Sequence, residues 1–127
     1  MSSKNVHIAL DFDRSLAFYY GGKDAIKSVG APIPAMVDKV KKWLDKGYKI
    51  SIFTARVAPV GKYGPRSDSF IREQEDMIRA FLKNSGLPEF EITAIKHPSF
   101  TYFVDDKAVG ISENQGEFLL SFPKELE

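Results

Sequence analysis

Two pairs of carboxylates follow apolar runs in this 127-residue chain, and clustered carboxylates are suited to binding a hard cation. Asp11 and Asp13 come directly after the first apolar run, and Asp105 and Asp106 come directly after a later one. Carboxylates that lie close together repel each other unless a cation or a proton intervenes. Mg²⁺ takes such oxygen ligands with few protein contacts and keeps waters for a substrate phosphate. If the two pairs meet in the fold, they predict a magnesium site.

Two further apolar runs end in groups that suit a bound phosphate. Thr54 and Arg56 follow the run 48–53, and Lys96 follows the run 90–95. A threonine hydroxyl can donate a hydrogen bond to a phosphoryl oxygen, and a lysine supplies a point charge. Thr54, Arg56 and Lys96 are therefore candidate substrate-binding residues.

The elements that must position these residues alternate between strand and helix. Short apolar runs predict strands, and apolar residues at helical spacing predict helices between them. The predicted strands are 6–10, 48–53, 90–95 and 101–104, with a terminal strand pair or hairpin beyond residue 109; the predicted helices run from Pro32 and Pro34 to Gly47 and from Ser67 or Asp68 to Gly86. This order is typical of an α/β protein with a parallel sheet, in which the site lies beyond the carboxyl ends of the strands.

Taken together, four segments resemble a known family. They are Leu10-Asp11-Phe12-Asp13-Arg14-Ser15, Phe53-Thr54, Lys96 and Val104-Asp105-Asp106. This set is similar to the four motifs of the haloacid dehalogenase superfamily, and the similarity extends over residues 6 to about 111. The resemblance implies a three-layer, Rossmann-like parallel sheet with flanking helices, and an aspartate-based phosphatase of the small bacterial or phage type.

The resemblance also implies a role for each carboxylate. Asp11 would be the nucleophile that forms an aspartyl-phosphate, and Asp13 would be the general acid and then the general base. Mg²⁺ would bind the Asp11 carboxylate, the Asp13 backbone carbonyl and the acidic pair Asp105 and Asp106. Which member of that pair contacts the metal directly stays open.

The remaining roles fall to hydroxyl and basic side chains. Thr54 would hydrogen-bond a phosphoryl oxygen, and Lys96 would hold the nucleophile and the phosphate together, with nearby Lys107 as the alternative. Arg14 stands where the family often has glycine and brings a substrate-facing cation beside the nucleophile. Ser15 replaces the usual threonine and keeps its hydroxyl.

The spacing of the motifs leaves no room for a cap domain, so a flap over 16–31 and a loop over 57–67 must surround the pocket. The aromatic residues 18–20 of that flap either stack on a base or sugar or pack the flap onto the core. The first candidate substrates are a nucleotide or a nucleic-acid-end phosphate, and a homo-oligomer is a candidate source of a lid. The alternatives are a phosphotransferase of the same superfamily and a non-catalytic metal-binding module.

The amino-acid composition restricts the classes of protein to which the chain can belong. The chain has 18 basic and 17 acidic residues, for a net charge of +1, and no cysteine. The charge balance disfavours a dedicated nucleic-acid binder, and the lack of cysteine excludes thiolate metal sites and cysteine nucleophiles. With no apolar run long enough to span a membrane and no signal peptide, we expect one domain over 1–127 in the cytoplasm.

Overall fold

The protein contains one parallel sheet of four short strands, seen in a computed structural model that describes residues 5–22 and 24–127. In chain order the elements are β1 (His7–Leu10), α1 (Pro34–Asp45), β2 (Lys49–Phe53), β3 (Val60–Gly61), β4 (Gly64–Pro65), α2 (Asp68–Asn84), β5 (Glu91–Thr93) and β6 (Tyr102–Val104). The strand order across the sheet is β5-β2-β1-β6, and β3 and β4 form a separate small hairpin. The predicted α/β class with a parallel sheet is confirmed, and each of its four strands lies within two residues of the predicted bounds. The segment 1–4, where we expect no signal peptide, lies outside the described residues.

Local sequence signals account for the helix ends. Pro34 occupies the first turn of α1, where a missing N–H costs nothing. Ser67 begins α2, because its Oγ accepts a hydrogen bond from the backbone N–H of Phe70 at 3.1 Å. Gly47 and Gly86 follow the two helices with φ of +84° and +74°, a conformation that glycine adopts without steric cost. None of the helices in the described part of the chain is long and apolar enough to cross a membrane.

Both helices pack against the same face of the sheet. Their apolar side chains form one buried cluster with β1 and β2; it includes Ile8, Leu10, Val37, Val40, Trp43, Ile50, Ile52, Ile78, Phe81 and Leu82. The opposite face is covered by the crossover between β5 and β6, where the Phe100 ring packs edge-on against His7 and Phe53. The structure therefore differs from the expected three-layer arrangement, because both helices lie on one face of the sheet and the other face has no helix in the described part of the chain. The crossover spans only residues 94–101, which is shorter than a crossover helix with its loops requires.

A hydrogen-bonded chain of side chains lies on this second face. Ser51 donates to Glu91 Oε1 at 2.9 Å, so the Ser51 oxygen accepts from His7 Nε2 at 2.7 Å. The other His7 nitrogen then accepts from Ser99 Oγ at 3.0 Å. Burial lowers the pKa of His7, which agrees with a neutral ring. His7 is therefore a packed strand histidine.

The C-terminal segment returns to the body of the protein. Trp43 Nε1 donates to the carbonyl of Leu126 at 3.1 Å, and the Tyr48 hydroxyl donates to that of Glu125 at 2.8 Å. The predicted terminal strand pair is reduced to a single antiparallel bridge between Ile111 and Phe118. Several large apolar side chains of this segment are exposed, namely Val109, Ile111, Phe118, Leu119, Leu120 and Phe122.

Candidate active site

The carboxyl ends of the strands meet at a cavity of about 500 Å³. Asp11 follows β1, Thr54 follows β2 and Asp105 follows β6, and all three line this cavity. The parallel register brings them together, because Leu10 of β1 is paired with Ile52 of β2 and with Val104 of β6. Its charged lining comprises Asp11, Asp13, Arg14, Arg56, Arg66, Asp105, Asp106 and Lys107.

Three carboxylates form a compact cluster in this cavity. Asp11, Asp105 and Asp106 each offer an oxygen, and these oxygens lie within 4.8 Å of one another. Burial, the charge of Asp105 and a hydrogen bond with Asp106 raise the pKa of Asp11 to about 7. Ser15 Oγ donates to Asp11 Oδ2 at 3.2 Å and the backbone N–H of Lys107 donates to Asp105 Oδ1 at 2.8 Å, so both side chains are oriented. A set of oxygen ligands with mutual repulsion fits a hard divalent cation.

The loop after β1 turns sharply around Phe12. The Phe12 carbonyl accepts from the N–H groups of Leu16 and Ala17 at 2.9 and 3.0 Å, while Asp11 and Asp13 stay at the cavity. Arg14 has φ of +70°, a left-handed conformation that glycine adopts without steric cost. The backbone conformation at this position therefore suits the glycine that the resemblance to the family implies, although arginine occupies it.

Thr54 is buried and lines the cavity. Its backbone N–H donates to the Thr93 carbonyl at 2.9 Å, which ties the end of β2 to the end of β5. Its Oγ1 accepts from the N–H of Arg56 at 3.2 Å, so the hydroxyl proton is free to donate. This arrangement suits the predicted hydrogen bond to a phosphoryl oxygen.

The two candidate lysines lie in different places. Lys107 lines the cavity, whereas Lys96 is absent from the described lining and its Nζ lies 5.2 Å from the centre of the Phe103 ring. β5 ends at Thr93, and the N–H of Ile95 turns back to Thr93 Oγ1 at 3.0 Å. The chain therefore leaves the sheet edge before Lys96. The position of Lys96 does not fit the predicted role of holding the nucleophile and the phosphate together. The position of the alternative, Lys107, fits that role.

Arg56 lines the cavity, but it is buried and ion-paired, which the sequence did not predict. It was a candidate substrate-binding cation, yet its Nε donates to Asp13 Oδ2 at 2.8 Å and the side chain is 3% exposed. Within residues 5–22 and 24–127, Asp13 Oδ1 is the one buried side-chain polar atom without a hydrogen-bond partner. Arg56 is thus engaged with the predicted general acid, and the second oxygen of that acid remains unsatisfied.

The aromatic residues 18–20 of the flap lie in two different environments. The Tyr19 ring lies 4.9 Å from the guanidinium carbon of Arg14 and 5.9 Å from that of Arg56, so Tyr19 is packed between side chains of the site. Phe18 and Tyr20 stack on each other with centroids 6.2 Å apart, and Tyr20 is 89% exposed. Tyr19 lines the cavity, whereas Phe18 and Tyr20 are absent from its described lining.

Two polar residues of the site have roles that the sequence did not predict. Arg66 Nη1 donates to the carbonyls of Ala55, Arg56 and Ala58, the first at 2.6 Å, and so holds the loop after β2. Gln74 is buried in α2 and hydrogen-bonds Arg56. A signal for Gln74 exists, since it lies at helical spacing between apolar positions 71 and 78.

Comparisons with protein-family models, with curated proteins and with solved structures returned no match for this chain. The class that the fold and the cavity define is a mixed α/β protein with a four-stranded parallel sheet and a carboxylate cluster at its carboxyl edge. The similarity to the haloacid dehalogenase superfamily rests on the motifs alone.

Proposed function

We propose that the protein is a Mg²⁺-dependent phosphomonoesterase that works through an aspartyl-phosphate on Asp11. The observation that carries this proposal is the convergence of Asp11, Asp105 and Asp106 within 4.8 Å, with Asp13 and Thr54 at the same cavity. Nucleophile, acid, hydroxyl donor and cation ligands are the parts that such a reaction needs.

The charges of the cavity support a phosphate monoester as the ligand. Four acidic and four basic side chains line it, so their formal charges cancel. A divalent cation would bring the lining to a net charge of about +2, which a phosphate monoester dianion would balance. The cavity volume of about 500 Å³ leaves room for an organic group beside the phosphate.

The proposed reaction has two steps. An Asp11 oxygen attacks phosphorus, the bond from phosphorus to the leaving oxygen breaks, and Asp13 gives that oxygen its proton. Asp13 then takes a proton from water, which attacks phosphorus and releases inorganic phosphate and the free Asp11 carboxylate. Ser15 holds Asp11 Oδ2 at 3.2 Å and thereby limits the rotation of the nucleophile.

Cations and hydroxyls would stabilise the charge that develops on phosphorus. Mg²⁺ held by Asp11, Asp105, Asp106 and the Asp13 carbonyl would neutralise phosphoryl oxygens. Thr54 would donate its free hydroxyl proton to one of these oxygens. We assign the lysine role to Lys107, because this lysine lines the cavity.

A nucleotide or a nucleic-acid-end phosphate remains the first candidate substrate. Tyr19 lines the cavity and supports this candidate, since bases stack on aromatic rings. The exposed cation Arg14 lies close by, against Tyr19. A second copy of the chain is the proposed source of a lid, because the spacing of the motifs leaves no room for a cap domain between them.

The direct test is hydrolysis of p-nitrophenyl phosphate with and without Mg²⁺. We expect metal-dependent release of nitrophenolate that Asp11→Asn abolishes, because the amide keeps the shape of the side chain and removes the nucleophile. Asp76→Asn, an exposed carboxylate on α2, is the matched control. Wild-type turnover in Asp11→Asn would contradict the covalent mechanism.

The same assay distinguishes the two alternatives. A phosphotransferase would release nitrophenolate faster than inorganic phosphate when an alcohol is added as acceptor. A non-catalytic metal-binding module would bind Mg²⁺ and hydrolyse none of a panel of phosphorylated metabolites and oligonucleotide ends.

A further inference from the structure

Arg56 donates hydrogen bonds from all three nitrogen atoms of its guanidinium group to groups inside the protein. Its Nε donates to Asp13 Oδ2 at 2.8 Å, its Nη1 donates to Gln74 Oε1 at 3.0 Å, and its Nη2 donates to the carbonyl of Ala25 at 3.3 Å. A guanidinium that is 3% exposed and already committed on three sides has little capacity left for a substrate anion. The partner that its position favours is the Asp13 carboxylate.

Gln74 orients Arg56 from the opposite side. It is 2% exposed, accepts from Arg56 through Oε1, and donates through Nε2 to the carbonyl of Ile26 at 2.8 Å. The two contacts determine which way the amide points, because a guanidinium requires an acceptor and a carbonyl requires a donor. Gln74 is therefore held in one orientation and holds Arg56 in turn.

The side chains of Arg56 and Gln74 also donate hydrogen bonds to backbone carbonyls of the flap. Ala25 and Ile26 belong to a short 3₁₀ turn, Ala25–Lys27, in the middle of the flap. The base of the flap is closed by the N–H of Phe18, which donates to the carbonyl of Ala31 at 2.9 Å. Arg56 and Gln74 thus connect the flap directly to the carboxylate of Asp13.

We propose that Arg56, oriented by Gln74, is a positioning residue that fixes the Asp13 carboxylate at the cavity for proton transfer to the leaving oxygen and links this carboxylate to the flap. The inference rests on the proposed phosphatase function and adds to it the residues that control the acid. Oδ2 of Asp13 accepts from Arg56, whereas Oδ1 is buried without a hydrogen-bond partner, so among the described residues the contact with Arg56 is the one that orients the carboxylate. Positioning within hydrogen-bond reach is what general acid catalysis requires first.

The test measures kcat and KM for two substrates, p-nitrophenyl phosphate and an alkyl phosphate, in the full-length chain with Mg²⁺. A nitrophenolate leaves without much protonation, whereas an alkoxide needs the acid. We expect Arg56→Ala to lower kcat about 100-fold for the alkyl phosphate and less than about 10-fold for the aryl phosphate, with KM little changed. Leucine has a volume similar to that of glutamine. We expect Gln74→Leu to lower kcat about 10-fold for the alkyl phosphate and little for the aryl phosphate. Arg79→Ala, an exposed arginine on the same helix, is the control that leaves both rates unchanged.

A double-mutant cycle with Asp13→Asn separates positioning from a general structural effect. If Arg56 acts through Asp13, Arg56→Ala lowers the alkyl phosphate rate little further once Asp13 is replaced. Arg56→Lys keeps the charge beside Asp13 and loses the Gln74 contact, so we expect partial recovery of the alkyl phosphate rate. Should Arg56→Ala fail to fold by circular dichroism, Gln74→Leu and Arg56→Lys carry the same comparison.

Each result supports or overturns the inference. Equal losses of kcat on both substrates, or a rise in KM alone, would overturn it in favour of a structural or substrate-binding role. Additive losses in the cycle would overturn it as well. A wild-type protein that hydrolyses neither substrate would overturn the proposed function and this inference together, whereas the other outcomes leave the proposed function intact.

Discussion

A carboxylate oxygen of Asp11 lies within 4.8 Å of one from Asp105, at the ends of two neighbouring parallel strands. Burial, the negative charge of Asp105 and the Asp106 carboxyl raise the pKa of Asp11 to about 7. Without a cation, this cluster is a source of repulsion in the folded protein. Its stability should therefore respond to both metal and pH.

Mg²⁺ should stabilise the folded protein through this cluster. We expect the melting temperature of wild type to rise with Mg²⁺ concentration, since a ligand that binds only the folded state stabilises it by mass action. The double variant Asp105→Asn/Asp106→Asn should show almost no shift, and without metal it should be at least as stable as wild type. Asp76→Asn serves as the matched control. Equal metal-induced shifts in wild type and the double variant would contradict the assignment of the site.

The metal-free protein should lose stability as the pH rises. The raised pKa of Asp11 means that the folded state holds the proton more tightly than the unfolded state, whose value is 3.8. This contribution is fully present below pH 3.8 and is lost as the pH rises through about 7. Between pH 5 and pH 8 we expect wild type to lose about 1–2 kcal/mol more free energy of unfolding than Asp11→Asn, allowing for solvent screening. Urea unfolding in EDTA measures this difference, and parallel curves for the two proteins would refute it.

Position 14 should be more stable with glycine than with alanine. Its φ of +70° is left-handed, and a Cβ there costs about 1 kcal/mol. Arg14→Gly and Arg14→Ala both remove the contact with Tyr19, so their difference isolates the backbone term. We expect Arg14→Gly to exceed Arg14→Ala by about 1 kcal/mol in the free energy of unfolding. Equal stabilities in urea unfolding would mean that the loop relaxes around the substitution.

Replacing Lys107 should lower the phosphatase activity much more than replacing Lys96. We expect Lys107→Ala to lower kcat for p-nitrophenyl phosphate by about 100-fold, because a cation beside the phosphate is lost. Lys96→Ala should stay within about two-fold of wild type, since Lys96 lies over Phe103 outside the cavity. Steady-state kinetics of the two purified variants decide between them. The reverse ranking would restore Lys96 to the site.

The flap should not tolerate a side chain at Gly30. A Cβ at this position would lie 2.0 Å from the carbonyl oxygen of Phe18, so the segments around Phe18 and Gly30 would have to separate. We expect Gly30→Ala to cost about 1–3 kcal/mol and to lower kcat through the flap contacts of Arg56. Ser28→Ala, an exposed position in the same flap, should change neither quantity. Thermal melts and kinetics check both, and an unperturbed Gly30→Ala would show that the flap accommodates a side chain at position 30.

The sequence by itself determines the strands and the carboxylates that follow them. An apolar run followed by Asp11 or Asp105 predicts both a buried strand and a polar residue at its end. Parallel strands then bring their carboxyl ends to one edge whatever the details of packing. The helix bounds follow in the same way, because Pro34, Ser67 and the glycines after each helix act locally.

Other properties depend on the tertiary structure. The eight-residue path between β5 and β6 carries Lys96 away from the cavity and leaves Lys107 in it. Arg56 is a generic cation in the sequence, and only folding brings Asp13, Gln74 and the flap carbonyls around it. The physical reason is that strand and helix signals are local and periodic. The partner of a charged side chain is instead set by long-range packing, because a buried polar or charged group that lacks a partner costs free energy.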